Sequence, residues 1–176
     1  MCSRSKFNLQ LVAPFVYENE LAEAVKRFKF SDETGLSEFF AKEIFAAVTA
    51  TFPEKQFDFV ACVPLTKAKL NTRGYNQSQL LAKNCAALLK TDFRPALLKK
   101  HDTADQHSLK AKERLKNLKN AFEPNPKVDI KGKTILLCDD IKTTGATLYE
   151  CRKTLIKAGA KDVCCACIAV VPEKND

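Results

Sequence analysis

The sequence predicts an α/β protein built on a doubly wound, mainly parallel sheet. Apolar segments of strand length alternate with amphipathic segments of helix length, and the strand segments are apolar on both faces. Such continuous apolar strands are typical of parallel sheets that helices cover on both sides. Because the chain has 176 residues, 45% of them hydrophobic, we expect one compact domain with its own core.

The first half of the chain predicts a helix, a strand and a second helix. Residues 36–52 place apolar side chains at spacings of three and four, which indicates an amphipathic helix that ends before a proline. Residues 57–63 form a short apolar run, as expected for a buried strand. A turn containing Gly74 and Asn76 follows, and residues 78–90 return to helical spacing. These segments form one strand, loop and helix unit.

The second half predicts three further strands and one helix. Residues 95–99 form a brief strand, and residues 101–119 are so polar and charged that they predict either a mobile loop or an exposed helix. Residues 134–138 are a continuous apolar strand, residues 148–158 a helix, and residues 163–171 a last apolar strand. The alternation of strands and helices thus continues through the second half of the sequence.

Charge and composition limit the location and the partners of the protein. Charged residues interrupt the apolar positions of the first thirty residues, so neither a signal peptide nor a membrane span is expected, and we expect a cytoplasmic protein. The formal net charge of +8 predicts anionic partners, either phosphorylated small molecules or nucleic acid. A lysine-rich surface that only keeps the protein soluble is the alternative.

Most of the eight cysteines lie among apolar neighbours, where thiols behave as small core side chains. Cys164, Cys165 and Cys167 resemble half of a zinc site. No C-x-x-C pair or suitably spaced histidine accompanies them, and alternation along a strand would divide their thiols between two faces. We therefore expect no zinc there.

One segment combines two chemical functions directly after the strand at residues 134–138. Asp139 and Asp140 are predicted to leave the strand, and small hydroxylated residues and Gly145 precede the next helix. Backbone N–H groups at a helix N-terminus bind phosphate, and a glycine permits close approach. Carboxylates accept hydrogen bonds from sugar hydroxyls. Taken separately, the pieces are a helix cap and a solvated turn; together they predict a site for a ribose 5-phosphate.

Residues 135–147 resemble the signature of type I phosphoribosyltransferases for 5-phosphoribosyl 1-pyrophosphate (PRPP). More narrowly, the chain resembles the ComF family of competence-associated proteins, over about residues 14–172. Further segments that carry the resemblance are Phe28-Lys29-Phe30, Val63-Pro64-Leu65, residues 73–82, Thr103-x-x-Gln106-x-x-Leu109, Arg114-x-x-Asn117 and Asn120-Ala121-Phe122.

The resemblance implies a type I phosphoribosyltransferase-like fold, with residues 1–35 as a small N-terminal hood and residues 36–176 as the main domain. It implies PRPP as ligand, with Mg²⁺ as cofactor bridging ligand oxygens and reached by the protein only through the acidic pair. The acidic pair would contact the ribose hydroxyls. The 5′-phosphate would be held by Thr143, Thr144, Gly145, Ala146 and Thr147. Pyrophosphate contacts and a closing flap would come from Thr66, Lys67, Arg73, Thr103, Gln106 and Arg114.

Two differences from the family pattern concern the N-terminus and one basic position. Family members commonly begin with a cysteine-rich zinc module, whereas Cys2 is the single cysteine before the domain here, so the module is either absent from the protein or missing from the given sequence. Lys69 stands where the family often has arginine, which keeps the charge but removes bidentate geometry.

Three functional hypotheses remain open at this stage. The first is a phosphoribosyltransferase with an unknown acceptor and no assignable catalytic base, because His101 and His107 both fall in the polar segment. The second is a non-catalytic DNA-uptake factor that binds single-stranded DNA, with PRPP or nucleotide as regulator and Tyr75 as the best stacking residue. The third is a relative with a structural role only. An oligomer is compatible with all three.

Overall fold

The structure, a computed structural model, describes residues 9–30, 35–100, 118 and 120–172. The strands are β1 (Leu11–Val12), β2 (Phe15–Val16), β3 (Phe59–Cys62), β4 (Asp92–Phe93), β5 (Leu97–Lys99), β6 (Phe122–Pro124), β7 (Thr134–Lys142) and β8 (Asp162–Val170). The helices are α1 (Asn19–Phe30), α2 (Leu36–Thr51), α3 (Lys67–Arg73), α4 (Gln77–Leu88) and α5 (Ala146–Lys157).

The central sheet has the strand order β1-β8-β7-β3-β4, and β2 pairs with β8 along the same edge as β1. Each of these strand pairs is parallel. The two longest strands, β7 and β8, lie side by side in the middle and are mostly buried. This arrangement confirms the predicted mainly parallel sheet.

Helices cover both faces of the sheet, as the apolar strands require. Along β7, Ile135 and Leu137 belong to the core under α5, whereas Leu136 and Cys138 belong to the core under α1, α2 and α4. All four side chains are fully buried. The period of two in a strand explains why alternate residues join opposite cores.

The cysteines that the structure describes are buried and unpaired, as predicted for core side chains. Burial raises the pKa of the Cys62 and Cys165 thiols to about 12, so both stay neutral at physiological pH. Alternation along β8 places Cys164 in one core and Cys165 in the other. Two of the three clustered thiols therefore face opposite sides of the sheet.

Several elements escape prediction because their sequences carry little periodic signal. β1 and β2 have two residues each, and α3 buries none of its side chains. The strand predicted at residues 95–99 exists, but it pairs antiparallel with β6 in a separate two-stranded sheet. The first residues that the structure describes add β1 and β2 to the main sheet and give Val25 and Phe28 of α1 to its core. The division into a hood and a main domain stays a prediction.

No helix among the described residues combines the length and the apolar character needed to cross a membrane.

Candidate functional site

The acidic pair lies where two neighbouring strands end at different heights. β3 ends at Cys62, opposite Cys138, whereas β7 continues beside β8 to Lys142. The expectation that the carboxylates leave the strand at Cys138 is therefore wrong: Asp139 and Asp140 belong to β7, because β8 still offers backbone partners. Since β3 has ended, their other side is open.

A cleft of about 750 Å³ occupies this opening at the carboxyl end of the sheet. Ligands of open α/β sheets bind at this end, so the position agrees with the predicted site. The predicted site residues that line the cleft are Arg73, Asp139, Asp140, Thr143 and Thr147. Unpredicted polar residues that line it are Tyr17, Lys29, Lys69, Thr72, Asn76, Gln77, Ser78 and Lys99.

Asp139 is held by hydrogen bonds to a single carboxylate oxygen. The Ser78 hydroxyl donates to Oδ1 at 2.9 Å, and the backbone N–H of Asp140 donates to the same atom at 2.9 Å. Burial and, next, the adjacent Asp140 charge raise the pKa of Asp139 to about 7, although both hydrogen bonds and the Lys29 charge oppose this rise. Asp139 thus titrates near neutral pH.

Asp140 has a different partner. Its Oδ2 accepts a hydrogen bond from the ammonium of Lys29 at 2.8 Å, and its Oδ1 accepts one from the backbone N–H of Ile141. The side chains of Lys29 and Asp140 are only 19% and 18% exposed, so water screens this ion pair weakly. The two adjacent carboxylates therefore have distinct environments: Asp139 is buried and accepts a hydrogen bond from a hydroxyl, whereas Asp140 is paired with a cation.

A four-residue stretch from Tyr75 to Ser78 supports both carboxylates. The Tyr75 hydroxyl donates to the Phe28 carbonyl at 2.6 Å, and the Gln77 amide donates to the Lys29 carbonyl at 3.1 Å. These contacts anchor the last turn of α1, whose orphan carbonyls need partners. The same stretch ends in Ser78, which binds the other carboxylate, so it positions Lys29 and Asp139 together.

Asn76 begins α4 and ties it to the end of β3. Its Oδ1 accepts from the Ser78 N–H at 3.1 Å, and its Nδ2 donates to the Val63 carbonyl at 3.1 Å. Asparagine is among the best residues for such a cap. Tyr75, predicted as a base-stacking residue, is half-buried with its hydroxyl engaged on α1, so the structure gives it a supporting role.

The predicted phosphate loop joins β7 to α5. Gly145 has φ +81°, a left-handed conformation that favours glycine, and α5 begins at the next residue. Thr143 and Thr147 line the cleft, and Gly145 lines a small hollow beside it. Thr144 instead caps the helix start, with its hydroxyl accepting the Ala146 N–H at 3.3 Å, and the Ala146 side chain is buried in the core.

The segment after β3 forms α3, which places its basic residues differently from the prediction. Thr66 is buried and caps α3, with its hydroxyl accepting the Lys69 N–H at 3.3 Å. Lys67 is exposed and is not among the residues that line the cleft. Lys69 and Arg73, one helical turn apart on α3, do line it. Thr103, Gln106 and Arg114, like both histidines, lie outside the described residues.

Similar sequences carry names from competence and DNA utilization. Competence protein F of Haemophilus influenzae is 33% identical over 153 residues, which cover 84% of this chain and 66% of that protein. DNA utilization protein YhgH of Escherichia coli K12 is 31% identical over 164 residues, covering 90% of this chain and 71% of that protein. A family model for the phosphoribosyl transferase domain matches residues 77–176. The chain belongs to the ComF family of phosphoribosyltransferase-domain proteins.

Solved structures support the fold of this ComF-family chain. The allosteric regulatory enzyme of purine biosynthesis matches with a TM-score of 0.55 at 16% identity, covering 81% of this chain and 30% of that one. A crystal structure of adenine phosphoribosyltransferase matches with a TM-score of 0.50 at 16% identity, covering 81% and 82%. The sheet is therefore that of the type I phosphoribosyltransferases. The chain spans just under two thirds of the length of competence protein F.

The acidic pair fits Mg²⁺ only when a ligand supplies further oxygens. Carboxylates are suitable donors for this ion. Over the described ranges, however, no three His, Cys, Asp or Glu side chains form a cluster that could hold a metal, and Asp140 already binds Lys29. Phosphate and sugar oxygens would have to complete the coordination, with Asp139 and Asp140 as the protein's contribution.

Sequence reasoning missed Lys29 and Ser78 as partners of the carboxylates and Lys99 as part of the cleft lining. Lys29 and Ser78 lie within segments that carry the family resemblance, which was the available signal. Their contacts to the carboxylates join residues far apart along the chain, and no local spacing reveals such contacts.

Proposed function

We propose that this ComF-family chain binds PRPP together with Mg²⁺ and transfers its phosphoribosyl group to an acceptor. The observation that carries the proposal is that the acidic pair, the N-terminal residues of α5 and the cationic face of α3 line one cleft. These three features match the diol, the 5′-phosphate and the pyrophosphate of a single ligand.

Each part of the ligand has a chemically suitable partner in the cleft. Asp139 and Asp140 offer carboxylate oxygens to the ribose hydroxyls. Thr143 and Thr147 add hydroxyl donors at the start of α5, where the helix dipole favours an anion. The pyrophosphate would lie near Lys69 and Arg73, which supply positive charge without an acidic residue on the same helix.

The cleft has the size and the lining of a small-molecule site. At about 750 Å³ it falls within the range of sites that enclose a whole drug-sized ligand. Tyr17, Ile141 and Val171 contribute apolar surface to its lining. An acceptor held there beside the ribose would react with C1 while pyrophosphate leaves, and fixed cations would stabilise the charge that develops on the leaving group.

Thermal unfolding with PRPP and Mg²⁺ tests the proposal. At a ligand concentration a hundredfold above the dissociation constant we expect a gain of about 2.7 kcal/mol in the free energy of unfolding. For a chain of this size that corresponds to a rise in Tm of about 5–10 °C. Ribose 5-phosphate and pyrophosphate alone should produce smaller rises, because each engages part of the cleft.

Matched variants connect the shift to the site. Asp140→Asn should abolish most of the PRPP shift, whereas Asp129→Asn removes the same charge from an exposed loop and should leave it unchanged. An absent shift in the unaltered protein, or equal shifts in both variants, would contradict PRPP binding at this cleft. Transfer itself is measured as pyrophosphate release when candidate acceptors are added.

A second candidate function rests on the surface of α3 and on the names of the relatives. The helix carries Lys67, Lys69 and Arg73 and no acidic residue, on the rim of the cleft. Such a cationic rim suits the backbone of single-stranded DNA, which competence and DNA-utilization relatives make a relevant partner. Binding should weaken steeply between about 50 and 200 mM salt. Lys67→Met should weaken DNA binding and leave the PRPP shift intact, because Lys67 lies outside the cleft lining.

A further inference from the structure

Lys29 forms an ion pair with the acidic pair, and it comes from α1 rather than from the motif. Its ammonium lies 2.8 Å from Asp140 Oδ2. This is the carboxylate oxygen left over after Oδ1 has accepted the Ile141 N–H. A lysine ammonium and a divalent cation compete for the same lone pairs on a carboxylate.

The position of Lys29 is built into the fold. Phe28, its neighbour on α1, is fully buried and packs against Phe40 with ring centroids 5.8 Å apart. Gln77 binds the Lys29 carbonyl, and Tyr75 binds the Phe28 carbonyl. The backbone on both sides of the lysine Cα is therefore fixed, and the lysine side chain is only 19% exposed, so α1 directs the ammonium to the acidic pair rather than to solvent.

We infer that Lys29 is a built-in counter-cation of the acidic pair, which keeps free divalent cations off Asp140 until the sugar-phosphate ligand arrives. The inference deepens the proposed function and rests on it for the identity of that ligand. Lys29 is a positioning residue in this role. Without its charge, two adjacent carboxylates would face the cleft with the Ser78 hydroxyl as the side-chain hydrogen-bond donor that the described residues supply, and a divalent cation would be the favourable replacement.

Lys29 would also set the order in which the metal ion and the sugar phosphate bind. A sugar phosphate would bring its own divalent cation, and its phosphates would offer Lys29 a second anion to pair with. The lysine can then release Asp140 to a ribose hydroxyl without losing its ion pair. Through this ion pair the site would distinguish a sugar phosphate that carries a metal ion from the free metal ion.

Mn²⁺ serves as a paramagnetic probe for the divalent site, read by electron paramagnetic resonance of the unbound ion in the absence of any sugar phosphate. Lys29→Met keeps the length of the side chain and removes its charge. We expect this variant to bind Mn²⁺ at least about tenfold more tightly than the unaltered protein, because a charge next to a weakly screened site has a large effect on affinity. Lys29→Arg keeps the charge and should bind Mn²⁺ no better than the unaltered protein.

Lys26→Met is the matched control for net charge. Lys26 lies on the same helix, 58% exposed and paired with Glu23 at 2.7 Å, away from the cleft lining. It should leave the affinity for Mn²⁺ unchanged. Equal affinities of Lys29→Met and the control would overturn the inference, as would tight Mn²⁺ binding by the unaltered protein alone, a measurement that does not depend on the folding of any variant.

A PRPP arm separates this inference from the proposed function. If PRPP recruits Mn²⁺ to the unaltered protein, the function gains support regardless of Lys29. If PRPP fails to bind while Lys29→Met still gains Mn²⁺, the counter-cation role stands and the ligand assignment fails. If PRPP binds and Lys29→Met gains no Mn²⁺, the function stands and the role of Lys29 is wrong.

Discussion

Replacing Asp139 by asparagine should stabilise the protein above neutral pH. The folded protein raises the pKa of this carboxyl from its ordinary 3.8 to about 7, chiefly by burial. The folded state therefore holds the proton more tightly than the unfolded chain. In the unaltered protein the free energy of unfolding is unaffected by this group below about pH 4. It declines as the pH rises toward 7, because the carboxyl is ionised in the unfolded chain and must take up a proton on folding.

The structure sets the size of the effect. The pKa difference corresponds to about 4 kcal/mol as an upper bound, and we expect about 2 kcal/mol because Asp139 still borders the open cleft. An asparagine Oδ1 can accept the same hydrogen bonds from Ser78 and from the Asp140 N–H, so the change removes the charge and keeps the support.

Urea unfolding at pH 5 and pH 8 measures the difference in the free energy of unfolding between the two proteins. Asp139→Asn should gain more at pH 8 than at pH 5, whereas the exposed Asp129→Asn should show no such dependence. A stability difference that is equal at both pH values, or an asparagine variant that is less stable at pH 8, would refute the raised pKa. The stabilised variant should also bind PRPP more weakly, because the acidic pair has lost a carboxylate.

The remaining predictions concern the supports of the site, the opposite end of the sheet and the buried thiols. Asn76→Ala removes the cap of α4 and the donor to the Val63 carbonyl, so urea unfolding should show a loss of about 2 kcal/mol in the free energy of unfolding. A loss smaller than that of an ordinary surface substitution would contradict the capping role of Asn76. Lys55→Met breaks a 2.7 Å ion pair with Asp162 at the start of β8; it should cost about 1 kcal/mol and leave the PRPP-induced Tm shift unchanged. The seven described cysteines should react with a thiol reagent only on unfolding, because their burial makes them inaccessible to the reagent; fast labelling of the native protein would contradict this.

The sheet could be predicted because its strands are long, apolar and buried on both faces, as in β7 and β8. The same apolar signal stops at Cys138, which explains the error about where β7 ends: backbone pairing with β8 continues under polar side chains, and hydropathy does not report it. Helix α3 carries no buried residue, so its sequence lacks the apolar periodicity that indicates a helix.

The candidate site divides in the same way. Asp139, Asp140 and the residues after them could be proposed as a site because they are neighbours in the sequence, and their role in binding stays a prediction. The ion pair of Lys29 with Asp140 could not, because it depends on the path of α1 across the end of the sheet. Thr66 is a third case. It was predicted to face the ligand, but it caps α3, and later residues of that helix line the cleft.

The stretch from Tyr75 to Ser78 touches α1 through two carbonyls and Asp139 through one hydroxyl. Lys29 belongs to that helix, so any shift of α1 relative to the sheet changes the contacts of both Asp139 and Asp140. The environments of the two carboxylates are therefore coupled. A substitution that changes the neighbours of one carboxylate will also change the environment of the other.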